Sequence, residues 1–224
     1  MGRITSGLRI DNPDIVFIEK VGQGGFAEVW KIQETTFLQR TLAAKVIEIV
    51  FKDRSDRINV EKIRQFREQE AKAWAKFDQK SRNVIPLLQA IEKIINIDGT
   101  ECLIFGFLMP FCELGDLSSY ISSNQLQLES RKELRRFLRD IAEGLKAGHD
   151  LDIVHCDIKA TNILLFEENG RLNPKLMDFG TSFGTNLGPF TGAGTPEYMA
   201  PERFDNLTIT PDKSSDVYSL GVLF

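Results

Sequence analysis

The first clear pattern runs from Asp14 to Ile32, where two β-rich runs flank glycines at positions 22, 24 and 25. Apolar residues recurring with the two-residue period of a strand, broken by glycines, predict a hairpin with a tight turn. Residues 41–50 read as a third strand, with a single lysine, Lys45, among apolar neighbours. Over 57–77 the pattern becomes helical, because Ile63, Phe66, Trp74 and Phe77 fall at i, i+3, i+11 and i+14. Glu70, at i+7, lies on that apolar stripe, whereas Glu61 and Glu68 fall off it. The charged stretch 51–57 reads as a loop inserted before the helix. Two further strands, about 86–94 and 101–109, are joined by an Asp98-Gly99 turn.

The second half has a different texture. Proline and glycine around a short polar segment at 110–117 mark a connector. Leu134, Phe137, Leu138, Ile141 and Leu145 predict an amphipathic helix over 131–149. The apolar run 163–166, the turn 167–170 and a short strand ending at Asp178 follow. From 178 to 202 the chain is rich in Gly, Thr and Phe without periodicity, and irregular segments of that length inside a compact domain are usually functional. Residues 214–224 open like a helix, with a serine as its cap.

Composition narrows the picture only slightly. The 224 residues are 42% hydrophobic and 27% charged, ordinary for a globular chain. A formal charge of -4 offers no basic footprint for nucleic acid. The three cysteines, Cys102, Cys112 and Cys156, show no metal-ligand spacing, and their odd number excludes a full disulfide framework, so a reducing, cytoplasmic setting is expected. No run has the length of a transmembrane segment. Residues 1–6 fit the N-myristoylation template, with Gly2 as acceptor.

Candidate chemistry concentrates in His155-Cys156-Asp157-Ile158-Lys159-Ala160-Thr161-Asn162. Asp157 is placed to accept a proton from an attacking hydroxyl, Lys159 to neutralise a phosphoryl group in transfer, and Asn162 to hold a divalent metal through its amide oxygen. Asp178, ending the later strand, is a second oxygen ligand within loop reach. A lysine inside an apolar strand either faces solvent at an edge or has a carboxylate partner, and Glu70 on the buried stripe is the partner inferred for Lys45.

The loop resembles the catalytic loop of eukaryotic-type protein kinases, H-R-D-x-K-x-x-N, with Cys156 in place of arginine. Gly22-Gln23-Gly24-Gly25-Phe26-Ala27-Glu28-Val29 is similar to the glycine-rich loop, with Ala27 at the third glycine position. Lys45 and Glu70 resemble the strand lysine and helix glutamate, Asp178-Phe179-Gly180 the D-F-G motif, and Ala200-Pro201-Glu202 the A-P-E end of an activation segment. These motifs occur in the family's order, from about residue 10 to 224.

The resemblance implies an α+β, two-lobe fold, with a small antiparallel β lobe and one helix over 10–109, a hinge at 110–113, and a larger, mainly helical lobe from 114 to 224. The family's last helices are missing from that lobe, so the kinase domain over 1–224 is expected to be incomplete. Implied contacts for ATP are Gly22, Gln23, Gly24, Gly25, Phe26, Ala27, Val29, Ala43, Lys45, Met109 as gatekeeper, Phe111, Cys112, Asp116 and Leu164. Asp157 and Lys159, with Lys45 oriented by Glu70, are the implied catalytic set. Asn162 and Asp178 would hold Mg2+, with Mn2+ as the alternative ion. The implied reaction is transfer of the γ-phosphoryl of ATP to a serine or threonine of a protein substrate, since Lys159 and Thr195 resemble that class. The rival is an inert fragment or a nucleotide-binding scaffold. Thr181, Ser182, Thr185 and Thr191 are candidate phosphosites. With Cys156 in place of arginine, one charge partner for a loop phosphate is absent, so less dependence on loop phosphorylation is expected. Asp216 would hold the backbone of the catalytic loop.

Overall fold

In the computed structural model the described residues are 3–11, 14–24, 27–36, 38–51, 54–77, 81–123, 130–179, 183–184, 194–205 and 210–224. At 54–59, 62, 66, 183–184 and 205 only the backbone is described. Gly2, Gly25, Phe26, Gly180, Thr181, Ser182, Thr185 and Thr191 lie outside these residues, as does the side chain of Phe66. Two compact units emerge, Met1–Ala71 with Leu87–Phe111, and Lys72–Pro86 with Cys112–Phe224.

The first unit is a six-stranded antiparallel sheet in the order β1-β2-β3-β4-β6-β5. Its strands are β1 (Arg9–Ile10), β2 (Ile15–Gln23), β3 (Glu28–Glu34), β4 (Thr41–Val50), β5 (Gln89–Ile97) and β6 (Thr100–Pro110). The short β1 was not legible as a strand. Alternate residues Ile15, Phe17, Trp30, Ile32, Leu42, Ala44 and Val46 enter one core, joined by Ile4 and Ile10 from the N-terminal segment. β6 departs from alternation: Cys102 through Met109 are all buried. A strand covered on both faces reads as a continuous apolar run. The turn between β5 and β6 has Asp98 at φ 49 and Gly99 at φ 78, the paired left-handed conformation that an Asp-Gly hairpin uses.

Helix α1 (Arg54–Ala75) begins inside the stretch read as an inserted loop, so residues 54–57 are helical rather than looped. Their charges mislead because a run of charged residues is as compatible with a first helical turn as with a loop.

In the second unit, 72–86 groups with the later chain, although the sequence placed it in the first lobe. The reason is a strand-like attachment: Val84 bridges to Leu176, and Ile85 N donates to Leu176 O at 2.9 Å. Helix α2 (Leu117–Ser122) is capped by Asp116, and α3 (Arg131–Asp150) by Ser130, whose side chain accepts from Glu133 N. Phe137, Ile141 and Leu145 of α3 pack with Ile163, Leu165 and Leu176, whereas Leu134 on the expected stripe is exposed. Those partners come from the hairpin β8 (Ile163–Glu168) and β9 (Arg171–Leu176), and the strand β7 (Ile153–Val154) pairs with β10 (Phe183–Gly184). Helices α4 (Pro201–Asp205) and α5 (Lys213–Leu223) complete the described part. The cap of α5 is Asp212 and not the expected Ser214: its carboxylate accepts from Ser214 N at 2.8 Å and from Ser215 N at 3.2 Å. Ser214 therefore lies in the first turn instead of ahead of it.

Candidate active site

The candidate residues divide between the two units. In the first, β2 and β3 form the glycine hairpin, with Gly22 opposite Val29, Gln23 opposite Glu28, and Gly24 N donating to Ala27 O at 2.7 Å. Glu28 holds this hairpin together, accepting from Lys20 Nζ at 2.6 Å and from Trp30 Nε1 at 2.9 Å. Burial pushes its carboxyl up, but the hydrogen bonds from Lys20 and Trp30 and the lysine charge outweigh that and hold it below its ordinary value. Sequence reading missed this clasp, although a lysine across a hairpin from a glutamate was a usable signal.

Lys45 sits on β4 between Val29 and Phe107 of the flanking strands, and its Nζ lies 3.4 Å from Glu70 Oε1. The Glu70 side chain is 1% exposed. A carboxylate so buried persists only with cationic partners, and Arg67, one helical turn earlier, is a second one. Sequence reading missed Arg67, although its place four residues after Ile63 and seven before Trp74 puts it on the same stripe as Glu70. Ala43 pairs with Met109, and both are buried, while Phe111 is half-buried under Lys31, whose Nζ is 4.6 Å from the ring centroid.

In the second unit, Asp157, Lys159 and Thr195 form a closed triangle. Thr195 Oγ1 donates to Asp157 Oδ1 at 2.6 Å, Lys159 Nζ donates to Thr195 Oγ1 at 2.7 Å, and Lys159 Nζ lies 2.8 Å from Asp157 Oδ2. One hydroxyl thus stands between a carboxylate that accepts its proton and an ammonium that donates to its oxygen. Asn162 Nδ2 donates to Asp157 O at 2.8 Å and to Asp157 Oδ2 at 3.1 Å, which commits the amide nitrogen and leaves Oδ1 as its acceptor. Met177 N donates to Asn162 O at 3.0 Å, tying the residue before Asp178 to Asn162. Asp178 itself has φ 68, a conformation uncommon outside glycine.

The loop bearing these groups is fixed from beneath by Asp216 of α5, which accepts from His155 N and Cys156 N at 2.8 Å each and meets His149 Nε2 at 2.9 Å. Asp216 is 1% exposed. The two anchored amides allow Cys156 its φ of 71. The Cys156 side chain is buried and its Sγ lies 3.5 Å from Val154 O, so this position presents no cation. His155 is buried as well: its Nδ1 accepts from Asp157 N at 3.3 Å, which leaves Nε2 to donate to Met177 O at 2.9 Å. The Phe179 ring stacks between His155 and Phe77, with centroids 5.0 and 4.5 Å away.

Three expected nucleotide contacts also lie in this unit. Asp116 bridges to Leu164, but its carboxylate caps α2, accepting from Ser119 N at 3.0 Å and Ser119 Oγ at 2.9 Å. The Cys112 thiol donates to Leu165 O at 2.8 Å, and burial raises its pKa. Among the described residues no group of three or more His, Cys, Asp and Glu could hold a metal.

Comparison with known proteins agrees with this arrangement. Residues 15–224 match the family model of the protein kinase domain. Human NUAK family SNF1-like kinase 2 is 32% identical over 209 residues, 92% of this chain and 30% of that protein. Human mitogen-activated protein kinase kinase kinase 5 is 40% identical over 123 residues, 52% of this chain and 9% of that protein. The serine/threonine-protein kinase cst-1 of Caenorhabditis briggsae is 37% identical over 118 residues, 51% of this chain and 23% of that protein. The chain therefore spans under a third of the length of these relatives. With an antiparallel sheet unit, a mainly helical unit and the family's motifs in order, it belongs to the protein kinase domain family.

Proposed function

We propose that the chain transfers the γ-phosphoryl of ATP to serine or threonine hydroxyls of protein substrates. The observation that carries this reading is the Asp157–Lys159–Thr195 triangle, which already surrounds one hydroxyl with the acceptor and donor that a substrate hydroxyl requires. In the proposed step the substrate oxygen bonds to the γ-phosphorus as its proton passes to Asp157, and the bond to the ADP oxygen breaks. Lys159 offsets charge on the moving group, and Lys45, oriented by Glu70, contacts the phosphates nearer the nucleoside. Asn162 and Asp178 would hold magnesium, which supplies charge neutralisation on the phosphates when bound. A lack of own-chain need for glycine supports the role of the hairpin: a Cβ at Gly22 or Gly24 would meet nothing closer than 3.6 Å. The requirement for glycine there is then assigned to the approach of phosphates.

No helix among the described residues is long and apolar enough to cross a membrane. We place the activity in the cytoplasm, on protein substrates. The test is transfer of labelled γ-phosphate from ATP with magnesium to a mixed serine, threonine and tyrosine peptide pool, with Asp157→Asn alongside. Label on serine or threonine that vanishes in the variant is the expected result. No label, with an ATP- and magnesium-dependent thermal shift retained, would replace this reading with a nucleotide-binding scaffold.

A further inference from the structure

Glu70 is shared between two cations, each on its own oxygen. Arg67 Nη1 pairs with Glu70 Oε2, while Lys45 Nζ faces Oε1 at 3.4 Å. The side chains of Arg67, Glu70 and Lys45 are 6%, 1% and 12% exposed. The Arg67 guanidinium carbon also lies 5.5 Å from the centroid of the Phe107 ring on β6, and Nε meets no acceptor among the described residues. An i,i+3 pair on a helix surface contributes little, but a buried guanidinium with an unmet donor is costly to keep. Its retention needs a reason beyond helix stability.

The division of oxygens supplies one. Because Arg67 takes Oε2, it does not compete with Lys45 for Oε1. Because it is on the same helix as Glu70 and lies over Phe107, it fixes the carboxylate plane without help from β4. Lys45 alone, on a long flexible stem, would have to hold Glu70 and reach for a ligand with the same ammonium.

We propose that Arg67 is a positioning residue for the proposed phosphate contact of Lys45: it seats Glu70 from within α1, so that Glu70 presents Oε1 to the lysine in a fixed orientation. The inference rests on the reading of Lys45 as a phosphate-binding residue, and its test includes a measurement independent of turnover. Wild type, Arg67→Met, Glu70→Gln, the double variant and Arg67→Lys are compared by kcat and KM for ATP with magnesium. In parallel, the rate at which a small acylating reagent modifies Lys45 is followed by peptide mass spectrometry.

Arg67→Met is expected to lower kcat/KM for ATP about tenfold, a typical coupling within one charged network. In the Glu70→Gln background the same change has no further effect, because Arg67 acts only through Glu70. Acylation of Lys45 rises in Arg67→Met toward its rate in Glu70→Gln, and Arg67→Lys restores most of both properties. Additive losses in the double variant, or Lys45 acylation unchanged by Arg67→Met, would reduce Arg67 to a packing residue. If no variant, wild type included, transfers phosphate, the proposed function fails while the acylation comparison still decides the role of Arg67. Should Arg67→Met not fold, Arg67→Gln removes the charge while keeping a polar side chain, and a Lys45 acylation rate equal to wild type in that variant then counts against the proposal.

Discussion

The Lys45–Glu70–Arg67 cluster and the Asp157–Lys159–Thr195 triangle hold charge by opposite means. In the first unit Glu70 and Arg67 are 1% and 6% exposed, and regular structure sets the places of the charged groups: a strand for Lys45, one helix for the other two. In the second, Asp157 and Lys159 are 11% and 25% exposed on a loop, and their places depend on backbone amides tied to Asp216. The buried cluster needs charge balance, because a lone ion there has no water to fall back on. The loop triangle needs geometry, because a hydroxyl must lie within hydrogen-bond reach of its base. Nucleotide binding and chemistry should therefore respond to different substitutions.

The largest effect should separate the two functions outright. Asp157→Asn is expected to lower phosphoryl transfer by about 10²–10⁴-fold, the usual contribution of a positioned base, with ATP affinity nearly unchanged. Lys45→Met should instead weaken ATP binding, which calorimetry measures directly. Equal loss of affinity in both variants would dissolve the comparison.

Asp216→Ala tests whether the loop is held by its backbone. It removes the acceptor for two buried amides and should cost about 2–4 kcal/mol in urea unfolding. Transfer should fall as well, although Asp216 is not one of the groups in the triangle. In the first unit the matching test is Gly106→Ala, whose Cβ would meet Lys45 O and Val46 Cγ1 at 2.7 Å each. Overpacking of that kind costs about 1–3 kcal/mol, and hydrogen exchange should place the loosening in the sheet around β4 and β6.

The smallest effect lies at the cap of α5. Hydrogen bonding from the Ser214 hydroxyl, with further bonds from the Ser215 and Ser214 amides, outweighs burial and holds the Asp212 carboxyl below 3.8, its ordinary value. A carboxyl with a lowered folded-state pKa stabilises the protein above its unfolded pKa. That stabilisation fades as the pH falls below 3.8 toward the lower folded value. Asp212→Ala should cost about 0.5–2 kcal/mol near neutral pH, and the difference in Tm from wild type should shrink in strongly acidic buffer.

Much of this was legible before any fold was known. The burial of Glu70 followed from its place on an apolar helical stripe, and the Asp98-Gly99 turn from a residue pair that takes two left-handed conformations in succession. The family resemblance stood on short motifs whose residue types are set by chemistry. Locally written properties of this kind are carried by neighbours within one helical turn or one hairpin, so the sequence alone determines them.

What the tertiary structure decided depends on residues far apart in the chain. Nothing local says that Arg67 shares Glu70 with Lys45: its place on the helical stripe marks it for burial, but only the sheet brings Lys45 and the Phe107 ring to the cluster. The grouping of 72–86 with the second unit needed Leu176, and the closing of the triangle needed Thr195, 38 residues beyond Asp157. Chain topology alone brings such groups together, and burial then decides which of their charges must be paired.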